Sequence, residues 1–193
     1  MTEAPGVTNP ALRLARIALG CGNFGGVGSA PEFFGQGLSQ DQALAVMDAA
    51  WQVGITHFDT ADAYGGGRSE ASIGHWIATR GVRPQLTTKT YNPMAAGADR
   101  GLAPGRIARQ LRASLDRLGV GHVELYLAHD FDPDVPLAET FGAFEQARAQ
   151  GVQNLAVAFQ TLYGTLSDDQ KKTADAMFRH YEDRPGPHKP ASK

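Results

Sequence analysis

The spacing of apolar residues switches repeatedly between two periods along most of the chain. Ile17 to Cys21 is a short apolar run that leads into the Gly-rich stretch GCGNFGG, which predicts a strand followed by a loop. Ser39 then stands three residues before Gln42 as a capping box, and Ala43, Val46, Met47, Ala50 and Trp51 recur at helical spacing until Gly54. Ile55 to Asp59 is rich in β-branched and aromatic residues and predicts a second strand. Beyond it, Tyr64-Gly65-Gly66-Gly67 reads as a loop, and Ser69 as the cap of a helix carrying Ile73, Trp76 and Ile77. Leu86 to Lys89 predicts a third strand. Pro104 suits the first turn of a helix whose apolar stripe is Ile107, Leu111, Leu115 and Leu118, before Gly119. Val123 to Ala128 predicts a fourth strand, and Phe141, Phe144 and Ala147 a fourth helix that ends near Gly151.

Strands that alternate with helices imply parallel pairing and right-handed crossovers. Four βα units within residues 1–151 match the pace of a (β/α)8 barrel, which takes ~250 residues in full. The expected fold class is therefore α/β: a partial (β/α)8 TIM-type barrel of about the first four βα units, plus a C-terminal helix. After Gly151 the pattern weakens. Asn154 to Phe159 is a candidate fifth strand, with no Gly-rich or polar catalytic loop after it. Ser167 and Gln170 form a second capping box, opening a helix through Ala174, Met177, Phe178 and Tyr181. The expected organisation is a partial barrel over 1–151, a divergent helical segment over 152–182, and a Pro-rich, polar, disordered tail over 183–193.

Composition narrows the class of partner. The 193 residues carry 18 Lys+Arg against 20 Asp+Glu, a formal net charge of -2, which gives no electrostatic footprint for nucleic acid or an anionic membrane. No apolar run reaches the roughly 18 residues of a membrane span. The start MTEAPGVTNPALRLAR lacks the basic and apolar regions of a secretory signal, and the lone Cys21 excludes an internal disulfide and a multi-cysteine zinc site. A reduced cytoplasmic setting is the expectation.

Candidate chemistry sits where the strands end. In parallel α/β folds, side chains at the carboxyl ends of strands converge on one crevice. Asp59 ends the second predicted strand, Lys89 the third and His129 the fourth, while Tyr64 lies five residues beyond Asp59. The set joins an acid, an amine, an imidazole and a phenol. A phenol's reference pKa of about 10 is too high for easy proton exchange near neutrality, and a neighbouring ammonium favours the phenolate. A carboxylate beside that ammonium keeps it charged and fixed, and an imidazole can hydrogen-bond a substrate oxygen. Such a set suits a carbonyl that takes hydride on carbon while a tyrosine protonates its oxygen.

The stretch Phe58-Asp59-Thr60-Ala61-Asp62-Ala63-Tyr64-Gly65, then Thr87-Thr88-Lys89, then Leu125-Tyr126-Leu127-Ala128-His129 resembles the aldo-keto reductase family. The run from Asp132 to Thr140, DPDVPLAET, is similar to it as well, and the likeness covers roughly residues 14–151. The resemblance implies a catalytic tetrad of Asp59, Tyr64, Lys89 and His129, with Tyr64 as general acid/base, Lys89 and Asp59 tuning it and His129 orienting the carbonyl. It also implies NADPH as hydride donor and a small aldehyde or ketone as substrate. The first loop resembles the family loop that lies against the nicotinamide ribose, which places Gly22, Asn23 and Phe24, together with Asp59, at the cofactor. Where the family has a Ser-Asn pair for the nicotinamide amide, this chain reads Ala156-Val157-Ala158-Phe159-Gln160. The later strands and the basic pocket for the 2′-phosphate are missing from the pattern.

Two other readings compete. Four strands of a barrel leave two sheet edges unpaired, so a competing reading is an inactive half-barrel that acts as a structural or interaction module, pairing as a homodimer through those edges. Alternatively, His57, Asp59 and His129 could serve a metal-dependent hydrolase, although their spacing is no recognised ligand set and His57 reads better as structural. No metal is expected. His75, His122, His180 and His188 read as surface positions, and Cys21 as a small loop residue with no base beside it.

Overall fold

The computed structural model describes residues 15–173, with the backbone alone over 152–163. Four parallel strands, β1 (Leu19–Gly20), β2 (His57–Asp59), β3 (Gln85–Thr90) and β4 (Leu125–Ala128), form one sheet in sequence order. Between them run α1 (Gln40–Gln52), α2 (Arg68–Arg80) and α3 (Pro104–Leu118), and α4 (Leu137–Thr165) follows β4. Short 3-10 turns occupy Pro31–Phe33 and Tyr64–Gly67.

The four βα units form where the periodicity predicts them. Ser39 caps α1 as a full capping box: its Oγ accepts from Gln42 N at 3.3 Å and its own N–H donates to Gln42 Oε1 at 2.9 Å. Pro104 sits in the first turn of α3, and Gly119 ends it. Ser69 is different from its expected role. It lies inside α2, fully buried, where its Oγ donates to the Cys21 carbonyl at 2.8 Å and lies 2.8 Å from Thr60 Oγ1. The residue at the N-cap is Gly67, left-handed at φ 91. Ser69 thus ties α2 to the loops after β1 and β2, which outranks a local cap.

The fifth strand does not form. Residues 154–159 lie within α4, which continues past Gly151 to Thr165. Gly151 lacks the positive φ of a helix-ending glycine. A glycine inside a helix costs only about 1 kcal/mol relative to alanine, and the Ala, Leu and Gln residues around it favour propagation. An apolar run as short as this one does not by itself separate strand from helix. After Leu166 the second capping box is present, with Ser167 Oγ accepting from Gln170 N at 3.3 Å, and residues 168–173 are helical. The expected helical positions Ala174, Met177, Phe178 and Tyr181, and the expected tail, lie outside the described residues. Compact units divide between Arg148 and Ala149.

The main core lies between the sheet and α1–α2. Cys21, Phe24, Met47, Phe58, Ile73, Trp76, Leu86 and Leu118 are all 2% exposed or less. A smaller cluster of Leu102, Ile107 and Ala143 packs with Tyr91, Tyr126 and Phe144. Polar side chains stitch the helices to the sheet. Buried Glu70 accepts from Thr88 Oγ1 at 2.5 Å and from Arg117 Nε at 2.8 Å, joining α2, β3 and α3. Gly74 lets α2 and α3 approach, since a Cβ there would lie 2.2 Å from the Arg117 carbonyl oxygen.

Candidate active site

The register of the sheet brings the strand ends together. Asp59 pairs with Thr87, and Lys89 with Leu127, so the residues leaving β2, β3 and β4 emerge along one rim. Backbone bonds carry the alignment past the strands: Thr60 N to Thr87 O at 2.8 Å, Asp62 N to Lys89 O at 3.0 Å, and His129 N to Thr90 O at 2.9 Å. The turn after β2 then carries Tyr64 back over this rim. Gly65, Gly66 and Gly67 all hold positive φ, and a Cβ on Gly65 would lie 2.8 Å from the Phe24 carbonyl oxygen, so only glycine makes this turn without strain.

All four side chains expected at the site meet there. Lys89 Nζ is ion-paired with Asp59 Oδ1, donates to the Thr60 carbonyl at 2.8 Å and lies 3.4 Å from the Tyr64 hydroxyl. The Tyr64 hydroxyl is also 3.4 Å from His129 Nε2, and the two rings meet edge to face at 5.3 Å. Lys89 is mostly buried, its side chain 14% exposed, while the Asp59 side chain is 34% exposed. A mostly buried ammonium between a carboxylate and a phenol is held by both, with its charge compensated by the carboxylate. Burial, and secondarily the charge of Lys89, lowers the His129 pKa from the ordinary imidazole value, which favours the neutral ring near neutrality. Chemically, the cluster offers one hydroxyl proton flanked by an ammonium and an imidazole.

The expected cofactor-side residues divide. Gly22 stands next to the Tyr64 ring, where a Cβ would meet Tyr64 Cζ at 3.7 Å, and a Cβ on Gly20 would meet nothing within 4 Å. Gly22 thus sets no side chain against the Tyr64 ring, and the space beside Gly20 is open. Asn23 is exposed, and its carbonyl accepts from Leu38 N at 2.7 Å. Phe24 is 2% exposed as a whole residue, in the core, and its N–H donates to the Cys21 carbonyl at 3.2 Å. Cys21, just beyond β1, is fully buried, and burial pushes its thiol well above the usual range, the opposite of a poised nucleophile.

A family model described as the aldo/keto reductase family matches residues 16–162. The chain belongs to the aldo/keto reductase family. It is 38% identical over 146 residues to an uncharacterized oxidoreductase, YrpG, of Bacillus subtilis, covering 69% of this chain and 42% of that protein. It is 32% identical over 171 residues to a D-threo-aldose 1-dehydrogenase of a Pseudomonas species, covering 75% of this chain and 51% of that one. Among solved structures, a thermostable aldo-keto reductase in complex with the inhibitor epalrestat is 31% identical with a TM-score of 0.57, over 69% of this chain and 45% of that one. An aldo-keto reductase from Bacillus halodurans in its holo form is 28% identical with a TM-score of 0.60, over 73% and 44%. The chain thus spans about half the length of the relatives it matches, and its sheet is a partial TIM-type barrel.

In this aldo-keto reductase chain the metal-hydrolase reading finds no assembled site. His57 is 7% exposed with Nε2 2.7 Å from Thr87 Oγ1, and among the described residues no three His, Cys, Asp or Glu side chains form a metal-binding group. No helix among them is long and apolar enough to cross a membrane. Two contacts to the site escape the sequence pattern. The Thr60 carbonyl takes a hydrogen bond from Lys89, and Asn92 Nδ2 lies 3.3 Å from His129 Nδ1. Asn92 falls three residues after Lys89, just past a strand end, and that position was its one sequence signal.

Proposed function

We propose that this chain carries the proton-handling side of an NADPH-dependent oxidoreductase that reduces aldehydes or ketones to alcohols. The observation that carries the reading is the Tyr64 hydroxyl, 3.4 Å from both Lys89 Nζ and His129 Nε2, with Asp59 ion-paired to that lysine. Bound NADPH would supply the hydride, with Gly22, Asn23 and Asp59 as the residues that would hold it. His129 hydrogen-bonds the carbonyl oxygen and orients it towards Tyr64. Tyr64 gives its proton to that oxygen as negative charge builds there, and the ammonium of Lys89 stabilises the phenolate left behind. Asp59 and the Thr60 carbonyl keep Lys89 in place. Water then returns the proton to Tyr64.

The test is NADPH titration of the full chain by fluorescence, followed by carbonyl turnover in wild type and Tyr64→Phe. Saturable binding in both, with turnover reduced by ~100-fold or more in the variant, fits a general acid. Retained turnover in Tyr64→Phe would remove the role assigned to the tyrosine.

A second reading has its own observation. Leu127 on β4 is 38% exposed and Phe131 just beyond it 61%, an apolar margin along the outer strand of the sheet. It supports an interaction module that pairs through this edge as a homodimer. A folded sample that self-associates and binds no NADPH favours that reading.

A further inference from the structure

We propose that Asn92 is a positioning residue that fixes His129 as the Nε2–H tautomer, so that Nε2 is the donor beside the Tyr64 hydroxyl. The inference rests on the reductase reading and adds a residue to it. Asn92 Nδ2 lies 3.3 Å from His129 Nδ1. An amide nitrogen only donates, so the ring nitrogen facing it accepts, and the single proton of a neutral imidazole then sits on Nε2. That nitrogen is the one 3.4 Å from the Tyr64 hydroxyl.

The reductase reading requires the same orientation of the amide. Turned over, Asn92 would present its oxygen to Nδ1–H and leave Nε2 as an acceptor. The Tyr64 proton would then be drawn into the imidazole and away from a substrate. With Nε2–H, both Lys89 and His129 donate towards the Tyr64 oxygen, and the hydroxyl proton is left free to point outwards. The groups facing His129 are Lys89, Asp59 and Asp130 together with Tyr64 and Asn92.

Asn92 is itself held by a buried side chain from α3. Arg106, 3% exposed, donates to the Asn92 carbonyl at 2.7 Å. The same guanidinium donates to Thr90 Oγ1 at 2.8 Å, to the Gly101 carbonyl at 3.1 Å and to the Asp99 carbonyl at 3.3 Å. The loop after β3 is thus pinned at several points, and the amide is presented to His129 from a fixed backbone.

The test reads the tautomer directly, by nitrogen NMR of the full chain labelled at its histidine rings, with His129 assigned from a His129→Gln sample. Wild type is expected as Nε2–H. Asn92→Asp places an acceptor-only carboxylate at Nδ1 and is expected to switch the ring to Nδ1–H and raise its pKa. Asn92→Ala is expected as a mixture of tautomers, which keeps the test informative should the aspartate variant fold poorly. Carbonyl turnover by Asn92→Asp is expected to fall in kcat by roughly 10–100-fold, the scale of loss when the outer partner that orients a metal-bound imidazole is changed, with KM for NADPH little changed. A wild-type ring in the Nδ1–H form, or the same tautomer in all three proteins, would overturn the proposal while leaving reduction by Tyr64 standing. The expected tautomers in a chain that reduces no carbonyl would instead overturn the reductase reading, and with it the purpose assigned to Asn92.

Discussion

The carboxyl of Asp62 is fully buried beside the site and accepts from Thr90 Oγ1 at 2.8 Å. Burial pushes its pKa from 3.8 up to about 6; the Thr90 bond opposes the rise and nearby Glu70 adds to it. Below pH 3.8 the group is protonated in both folded and unfolded chains. As pH rises to 6 the unfolded chain loses this proton first, so stability falls, by about 3 kcal/mol when the whole difference is expressed. Asp62→Asn has no such proton to lose. Its stability relative to wild type should therefore improve between pH 4 and pH 7, by up to about 3 kcal/mol in urea unfolding. A difference that stays constant over that range would show that Asp62 does not titrate this way. His129 has the complementary sign: its lowered pKa means that the unfolded chain gains the proton first as pH falls, so its contribution is lost on the acid side.

At the level of elements, local chemistry and tertiary contact can be separated by substitution. The capping box of Ser39 is exposed and purely local, so Ser39→Ala should destabilise the chain by about 1 kcal/mol in thermal or denaturant unfolding. Gly151 tests the continuity of α4. It is exposed and an added Cβ meets nothing within 4 Å, so Gly151→Ala should raise helicity by circular dichroism and stabilise α4 by roughly 1 kcal/mol. A strand in that region would respond with no gain in helix signal. Gly74 is the tertiary counterpart. A Cβ there meets the Arg117 carbonyl at 2.2 Å, and Gly74→Val should cost about 1–3 kcal/mol by forcing α2 from α3.

At the scale of the whole molecule, the sheet has an outer strand, β4, with no strand beyond it among the described residues. Leu127, Phe131, Leu137 and Phe141 are exposed at 38–64% on β4 and the segment after it. Apolar side chains along a free strand edge favour pairing with another chain. On the homodimer reading proposed above, Leu127→Lys should lower the self-associated fraction measured by light scattering, while the far-UV spectrum stays unchanged. An unaltered mass distribution would show that this margin makes no contact between copies.

The βα alternation was legible because each unit carries its own signals: a capping box at Ser39, a Pro at 104, a Gly at 119 and apolar stripes at helical spacing. Asp59, Lys89 and His129 were legible as a set because parallel strands align their carboxyl ends, which makes chain position equivalent to spatial position. Where the sequence misled, the local signal was degenerate. The run over 154–159 has the composition of either a strand or a helix, and propagation from the preceding helical turns decided it. Ser69 had the identity of a cap, but burial against Cys21 and Thr60 gave it a different partner. What only the tertiary structure decided are the contacts between side chains distant in sequence: Asn92 with His129, Arg106 with Asn92, and Glu70 with Arg117. Periodicity records which face of an element turns inward. The partner a polar side chain finds there depends on how the elements dock, and no residue's own neighbours in sequence carry that information.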